Sequence, residues 1–85
     1  MKDKELLRKQ IIYRSTHRGT KEMDLLIGNF AKKYLYSLEE KDLKDMLLFL
    51  NIDDKSLNDY YMNTHTKINF KKSKILKLFR NFKFN

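Results

Sequence analysis

The chain has 85 residues, no cysteine, two histidines and a formal net charge of +8. This length fits one small domain and is too short for a deep substrate pocket with a lid, and the missing cysteines exclude disulfides, thiolate catalysis and cysteine metal sites. No apolar run approaches the roughly 20 residues that cross a bilayer, and the start MKDKELLRKQ resembles neither a signal peptide nor a transit peptide. We therefore expect one domain over residues 1–85, cytoplasmic, without membrane insertion and without a metal site.

The positive charge is concentrated at the carboxyl-terminal end. Residues 67–85 carry seven bases and no acid, whereas residues 1–66 carry twelve bases and eleven acids. A solvated, lysine-rich helix face explains such a segment, and so does a surface for nucleic acid or another anionic partner. Both interpretations of this basic tail stay open from the charge pattern alone.

The first half of the chain predicts two helices joined by a tight turn. A first helix runs from about Asp3, a suitable N-cap, to about Thr16, and a second begins after Gly19 with Thr20 as its N-cap. A glycine at such a corner is explained by its freedom to adopt positive φ. Apolar side chains at helical spacing are expected to face inward: Leu7, Ile11, Ile12, Met23, Ile27, Phe30 and Tyr34.

The second half predicts three more helices. Ser37 and Glu40 have the spacing of a capping box, Asp53 or Asp54 can cap a short fourth helix, and a last helix covers about residues 70–81. The inward-facing positions are Leu43, Met46, Leu47, Leu50, Leu57, Ile75, Leu78, Phe79 and Phe82, with the adjacent Tyr60 and Tyr61 not both fully buried. With no proline and no period-2 alternation, the sequence predicts an all-α fold, a small single-domain five-helix bundle.

No arrangement of residues typical of an enzyme occurs in the sequence. His17 has no second ligand or nucleophile at a suitable spacing, and a lone histidine at a helix end is more often a partner of the helix dipole. The nucleophile-elbow, zinc-protease and phosphate-loop motifs are absent. We therefore expect that the chain is not an enzyme.

Charged residues crowd the turn between the first two helices. Within eleven residues the sequence places Arg14, His17, Arg18, Lys21, Glu22 and Asp24. One interpretation is a glycine turn spanned by an ion pair from Arg18 to Glu22, which would contribute little to stability. The other is an exposed, rigid, charged surface that docks on complementary groups of another protein. Charge density does not choose between them.

The segment YRSTHRGTKEMDLLIGNFA, residues 13–31, resembles the signature segment of the succinate dehydrogenase assembly factor family. The hallmark of that family is Arg-Gly-x-x-Glu, which matches residues 18–22 here. Ser37-Leu38, Asp53-Asp54 and Met62-Asn63 extend the resemblance to about residues 11–63. Members are small five-helix chaperones that promote covalent attachment of FAD to the flavoprotein subunit, so the resemblance implies the same fold and role.

The resemblance also implies which residues meet the partner. The Arg-Gly-x-x-Glu turn is expected to dock on the flavoprotein near its flavin and dicarboxylate site. The implied partner contacts are Arg18, Gly19 and Glu22 by direct match, and Arg14, His17 and Asp24 by match to the extended segment. FAD is expected to be attached to a histidine of the partner and not to be bound stably by this chain, so its own cofactor-binding residues are unknown.

Further expectations concern partners. The resemblance implies service to the flavoprotein of succinate dehydrogenase and leaves open whether that of fumarate reductase is also served. We expect a monomer that pairs with one flavoprotein, and no nucleic acid as a partner. Two alternatives remain: a protein that binds nucleic acid or an anionic surface through residues 67–85, and an antitoxin-like regulatory protein that uses the charged turn on another target.

Overall fold

Five α-helices make up the described part of the chain. The computed structural model describes residues 2–62 and 74–83. The helices are α1 (Lys2–Thr16), α2 (Lys21–Tyr34), α3 (Glu40–Phe49), α4 (Asp54–Tyr61) and α5 (Lys74–Asn81), and no strand occurs within these residues. The predicted all-α, five-helix fold is confirmed, while the predicted start of the last helix at Phe70 lies outside the described residues. None of the described helices combines the length and apolarity needed to span a bilayer.

The core is organised around four phenylalanine rings. α1 packs against α2 and α3, and α5 packs against α3 and α4. Where these helices meet, Phe30 lies beside Phe49, Phe79 and Phe82, with ring centroids 5.2 to 5.6 Å apart and inclined ring planes. Inclined pairs of this kind stabilise a core beyond the burial of their area. The cluster joins α2, α3 and the carboxyl-terminal end of α5 in one core.

The helical stripes predicted the core well. The buried positions that the stripes predict are Ile11, Met23, Ile27, Phe30, Leu43, Met46, Leu50, Leu57, Ile75, Phe79 and Phe82. The partly buried ones are Leu7, Ile12, Tyr34, Leu47, Tyr60, Tyr61 and Leu78. Tyr61 donates its hydroxyl to the Phe82 carbonyl over 2.7 Å, so the polar end of this ring has a partner inside the bundle.

α1 and α2 approach each other closely near the turn that joins them. A Cβ built on Gly28 would lie 3.1 Å from Cγ2 of Thr16, tighter than an ordinary side-chain contact. Ser15, which is fully buried at the same crossing, donates its hydroxyl to the Ile12 carbonyl over 3.1 Å. Small residues on both helices therefore allow α1 and α2 to lie close together beside the charged turn.

The predicted capping box of the third helix is wrong. Ser37 donates both its hydroxyl and its backbone N–H to the Tyr34 carbonyl, at 2.9 and 3.0 Å, and so helps to end α2. α3 begins at Glu40 after Glu39, whose side chain makes no capping hydrogen bond. Leu38 is buried just before this start, as in a hydrophobic staple, so apolar packing fixes the helix entry.

Two other predicted N-caps are confirmed. The Thr20 hydroxyl accepts the backbone N–H of Met23 over 3.2 Å at the start of α2. At the start of α4, the Asp53 carboxylate accepts the backbone N–H and the hydroxyl of Ser56, at 3.0 and 2.8 Å. These two hydrogen bonds lower the pKa of Asp53. Because Asp53 takes the capping position, Asp54 is free to bind elsewhere.

Candidate functional site

The turn between the first two helices, residues 17–20, is called the α1–α2 corner below. Gly19 has a φ of +134°, a backbone conformation that side chains with a Cβ rarely adopt. The space beside it is open, because a Cβ there would lie 3.8 Å from Oδ2 of Asp54, an ordinary contact. The backbone angle, and not crowding, therefore requires glycine, as the sequence predicts.

Arg18 points into the molecule. Only 8% of its side chain is exposed, and its Nε donates to Oδ1 of Asp54 over 2.8 Å. The two terminal nitrogens donate to the backbone carbonyls of Leu50 and Ile52, each over 2.6 Å. All three guanidinium nitrogens thus bind the α3–α4 loop, residues 50–53, and the first residue of α4. Within the described residues Arg18 pairs with Asp54 and not with Glu22.

The position of this guanidinium suits the end of α3. The last carbonyls of a helix have no partner within it and carry partial negative charge. Arg18 supplies two donors and a positive charge to the carbonyls just beyond α3, and the Asp54 carboxylate balances that charge. Each hydrogen bond to a charged group contributes about 1.5 to 3 kcal/mol. The contact therefore fastens the α1–α2 corner to the α3–α4 loop.

Arg14 and Asp24 strengthen the same connection from either side of the corner. A terminal nitrogen of Arg14 donates to the side-chain carbonyl of Asn51 in the α3–α4 loop. The Asp24 carboxylate accepts the backbone N–H of Arg18. Three of the six residues predicted to contact a partner, Arg14, Arg18 and Asp24, thus make contacts that hold the corner in place.

The other three predicted residues, His17, Gly19 and Glu22, are exposed. The His17 ring stacks on Tyr13 with centroids 4.2 Å apart, and its Nδ1 donates to the Tyr13 carbonyl over 2.7 Å. Since a carbonyl only accepts, Nδ1 carries a proton, and in the neutral ring Nε2 is the nitrogen left to accept. The sequence predicts that His17 interacts with the end of α1 and is not a catalyst, and its bond to the Tyr13 carbonyl agrees with such an interaction. The structure adds the orientation of the ring.

Glu22 lies in the first turn of α2, where the helix dipole favours a negative charge. Leu25, three residues later and so on the same side of the helix, is 46% exposed. Glu22, Leu25, His17 and Gly19 form an exposed surface that we call the corner face. It offers a carboxylate, an imidazole, an open backbone and an apolar side chain, a combination suited to docking on another protein.

Sequence reasoning missed three residues at this site. Leu25 lies outside the predicted inward stripe of α2. An apolar residue on the polar side of a helix is the sequence signal that could have identified it as part of an exposed surface. For Asp54, the signal was the pair of adjacent aspartates, of which only one can cap α4. Nothing in the sequence indicates the pairing of Asn51 with Arg14, because they are distant in the chain.

No metal centre is found in the described part of the chain, where no group of three or more histidine, aspartate or glutamate side chains converges. The described end of the basic tail is partly engaged within the bundle. Lys74 pairs with Asp42 over 3.3 Å, and the Arg80 guanidinium lies 4.1 Å from the ring centroid of Tyr60. Lys77 and Lys83 are exposed. Binding of nucleic acid or an anionic surface by this tail stays a prediction.

Residues 9–83 match the model of a protein family described as flavinator of succinate dehydrogenase. The chain belongs to this family. It is similar to the protein named succinate dehydrogenase assembly factor 2, mitochondrial, of Dictyostelium discoideum, at 38% identity over 58 residues, which are 68% of this chain and 41% of the relative. The protein of the same name from Debaryomyces hansenii is 39% identical over 82 residues, which cover 87% of this chain and 55% of the relative.

A bacterial relative carries a related name. The FAD assembly factor SdhE of Acetobacter pasteurianus is 36% identical over 53 residues, covering 62% of this chain and 49% of the relative. The chain spans about half the length of the curated relatives it matches. No solved structure matches the chain at a significant level.

These matches confirm the family resemblance that the segment 13–31 indicates. The flavinator family is one of assembly factors and not of catalysts, in agreement with the prediction that the chain is not an enzyme. Its eukaryotic relatives are named mitochondrial and the bacterial one is not. The cytoplasmic location, the monomeric state and service to fumarate reductase stay predictions.

Proposed function

We propose that this chain is an assembly factor that docks, as a monomer, on the flavoprotein subunit of succinate dehydrogenase and promotes covalent attachment of FAD to that subunit. Membership of the flavinator family supports this role, and so do the names of the relatives, which are assembly factors for succinate dehydrogenase or for FAD. FAD is held by the flavoprotein, and this chain acts on the protein around it.

The observation that carries the proposal is the way Arg18 holds the corner face. Its three bonds to the α3–α4 loop and Asp54 fix the backbone on which His17 and Glu22 are mounted. A surface that is already ordered before binding loses less conformational entropy when a partner docks on it. The corner face is therefore suited to impose an orientation on its partner.

The six residues implied by the family resemblance divide into two roles in this proposal. Glu22 pairs with a donor of the flavoprotein, His17 offers its outer nitrogen, and Gly19 lets the partner approach the backbone closely. The internally bonded residues, Arg14, Arg18 and Asp24, act as positioning residues that hold the corner. This differs from the direct contact implied for Arg18, because its guanidinium donors already have partners inside the chain.

The contribution to flavin attachment is orientation. Attachment would join a histidine nitrogen of the flavoprotein to the 8α carbon of its flavin after that position has lost a proton. The flavin would then be reduced by two electrons, and a two-electron acceptor would have to reoxidise it. By docking, this chain holds the flavin-binding and capping domains of the flavoprotein at the angle that brings the histidine close to the flavin. Holding reactants in place lowers a barrier without any transfer of protons by the factor itself. No residue of the corner face is assigned a catalytic role.

In-gel flavin fluorescence of the denatured flavoprotein subunit tests this function, because only covalently bound flavin survives denaturation. The subunit is produced alone, with the wild-type factor, with Glu22→Ala and with Glu39→Ala. Glu39 is a matched control, since it is also an exposed glutamate and makes no capping hydrogen bond. We expect strong fluorescence with wild type and Glu39→Ala, and weak fluorescence with Glu22→Ala and without the factor. Equal fluorescence in all four samples would contradict the proposal.

A further inference from the structure

A second exposed feature lies along α1, on the side that leads to the corner. A cleft of about 580 Å³ runs between α1 and the end of α2, and its walls extend to His17. Three of its side chains are large and of types common at protein interfaces: Arg8, Tyr13 and Tyr36. Because His17 belongs to both the cleft and the corner face, the two surfaces are continuous, and a partner on one would reach the other.

Arg8 is the central charged group of this cleft. Its guanidinium carbon lies 5.0 Å from the ring centroid of Tyr36, a cation–π distance. Its Nε is buried and has no hydrogen-bond partner among the described residues. The ion pairs of the described residues do not include Arg8. The buried Nε cannot reach a docking partner, but no hydrogen bond or ion pair of the described residues uses the two terminal nitrogens of Arg8, whose N–H donors can bind a carboxylate in a two-pronged geometry.

The two tyrosines give the cleft the composition of an interface. Tyr13 is 64% exposed and Tyr36 is 78% exposed, unusually high for side chains of this size. Tyrosine and arginine are the residue types that most often carry binding energy at protein interfaces. The stacking of His17 on Tyr13 also orders one of these rings before any partner arrives.

Charge decides what kind of partner fits. The cleft carries Arg8 and Lys9 against one acid, Glu5, so its charge is positive. A second copy of this chain is disfavoured as the occupant, because each copy has a net charge of +8. An acidic segment of another protein complements the charge of the cleft, and apolar residues beside its acids can pack on the exposed tyrosine rings.

We propose that this cleft receives an acidic segment of the flavoprotein subunit, with a carboxylate of that segment on Arg8 and its neighbouring residues packed on Tyr36. The inference rests on the proposed function for the identity of the partner. It adds a second docking surface on α1, beside the corner face. Arg8 and Tyr36 then bind the partner at a distance from the corner face, and two separated contacts fix the orientation of the partner relative to this chain.

The test measures the Kd of the full chain for the FAD-loaded flavoprotein subunit by biolayer interferometry. The variants are Arg8→Glu and Tyr36→Ala, with Glu22→Ala as a report on the corner. Lys41→Glu is the matched control, because Lys41 is an exposed base of α3 outside the cleft and its reversal changes net charge equally. Circular dichroism verifies that each variant keeps its helical content.

We expect Arg8→Glu to weaken binding by about tenfold or more and Tyr36→Ala by roughly fivefold, with Lys41→Glu within about twofold of wild type. If Glu22→Ala weakens binding while Arg8→Glu and Tyr36→Ala bind like wild type, the cleft proposal is overturned and the proposed function stands. Equal losses for Arg8→Glu and Lys41→Glu would also overturn it, since net charge would then explain the effect. A wild-type chain that does not bind the subunit would overturn the proposed function and this inference together.

Discussion

Two arginines of α1 and its following turn show how differently the same side chain can be used. Arg18 has each guanidinium nitrogen bonded to the α3–α4 loop or to Asp54, and little of it reaches solvent. Arg8 lines an open cleft, and no hydrogen bond or ion pair of the described residues uses the terminal nitrogens of its guanidinium. Arg18 therefore stabilises the fold, whereas Arg8 has donors that a partner can bind.

This difference assigns roles within the proposed docking surface. A residue of the family hallmark, Arg18, stabilises the fold and shapes the corner, whereas a residue outside the hallmark, Arg8, is available to a partner. Loss of function after mutation of Arg18 would therefore have a structural cause, and only variants that keep the fold can report on docking. Stability and binding must be measured separately for each position.

The largest expected effect comes from Arg18→Ala. Removing the guanidinium leaves the Leu50 and Ile52 carbonyls and the Asp54 carboxylate without their donor. We expect a loss of about 2 to 4 kcal/mol in the free energy of unfolding, measured by urea denaturation. Arg8→Ala is the comparison, with an expected change below about 1 kcal/mol, because its Nε loses no hydrogen bond. Similar losses for both variants would show that the two arginines are not used differently.

Gly19→Ala should have the next largest effect, and it tests how Arg18 reaches the loop. The φ of +134° at Gly19 directs the chain away from α1 immediately after Arg18. A Cβ meets no close atom there, so the cost comes from the backbone conformation alone, at about 1 to 3 kcal/mol. Thermal unfolding followed by circular dichroism measures it. An unchanged melting temperature would show that the positive φ is not needed.

Two adjacent aspartates also differ in use: Asp53 caps α4, whereas Asp54 binds Arg18. The substitution Asp53→Asn is expected to have the smallest effect. Hydrogen bonds from Ser56 lower the pKa of Asp53, so its capping contribution is complete above the ordinary aspartate pKa, about 4, and is lost as the pH falls through the lowered pKa. Asparagine also caps helices but does not titrate there. In urea denaturation, the stability of wild type relative to Asp53→Asn should therefore decrease as the pH falls through the lowered pKa of Asp53. A difference that stays constant with pH would show that titration of Asp53 does not affect the stability of the fold.

Much of the fold could be predicted because it depends on local patterns. The helical stripe through Met23, Ile27 and Phe30 predicts the buried side of α2, and Thr20 predicts its start. The prediction of a capping box at Ser37 failed because a serine between two helices can bond to the end of one or cap the start of the next. Ser37 bonds to the Tyr34 carbonyl at the end of α2, and α3 has no side-chain cap.

The sequence predicts a charged corner between α1 and α2 but not the orientation of its side chains. The sequence places charged residues at the corner, yet which of them turn inward depends on the α3–α4 loop, more than thirty residues away in the chain. Arg18 finds two carbonyl acceptors in that loop and a carboxylate at Asp54, whereas Glu22 stays exposed on the first turn of α2. A contact between distant segments leaves no periodicity in the sequence, so only the folded structure separates the two.

In the proposed function, Arg18 acts within the fold and Glu22 acts on the partner. The most direct test measures, for Glu22→Ala, both the melting temperature and the affinity for the flavoprotein subunit, beside wild type and Glu39→Ala. We predict a melting temperature close to that of wild type, because Glu22 gives up at most its dipole contribution of about 0.3 to 1 kcal/mol, together with binding weakened by about tenfold or more. A Glu22→Ala variant that binds the subunit as tightly as wild type would show that Glu22 does not take part in docking.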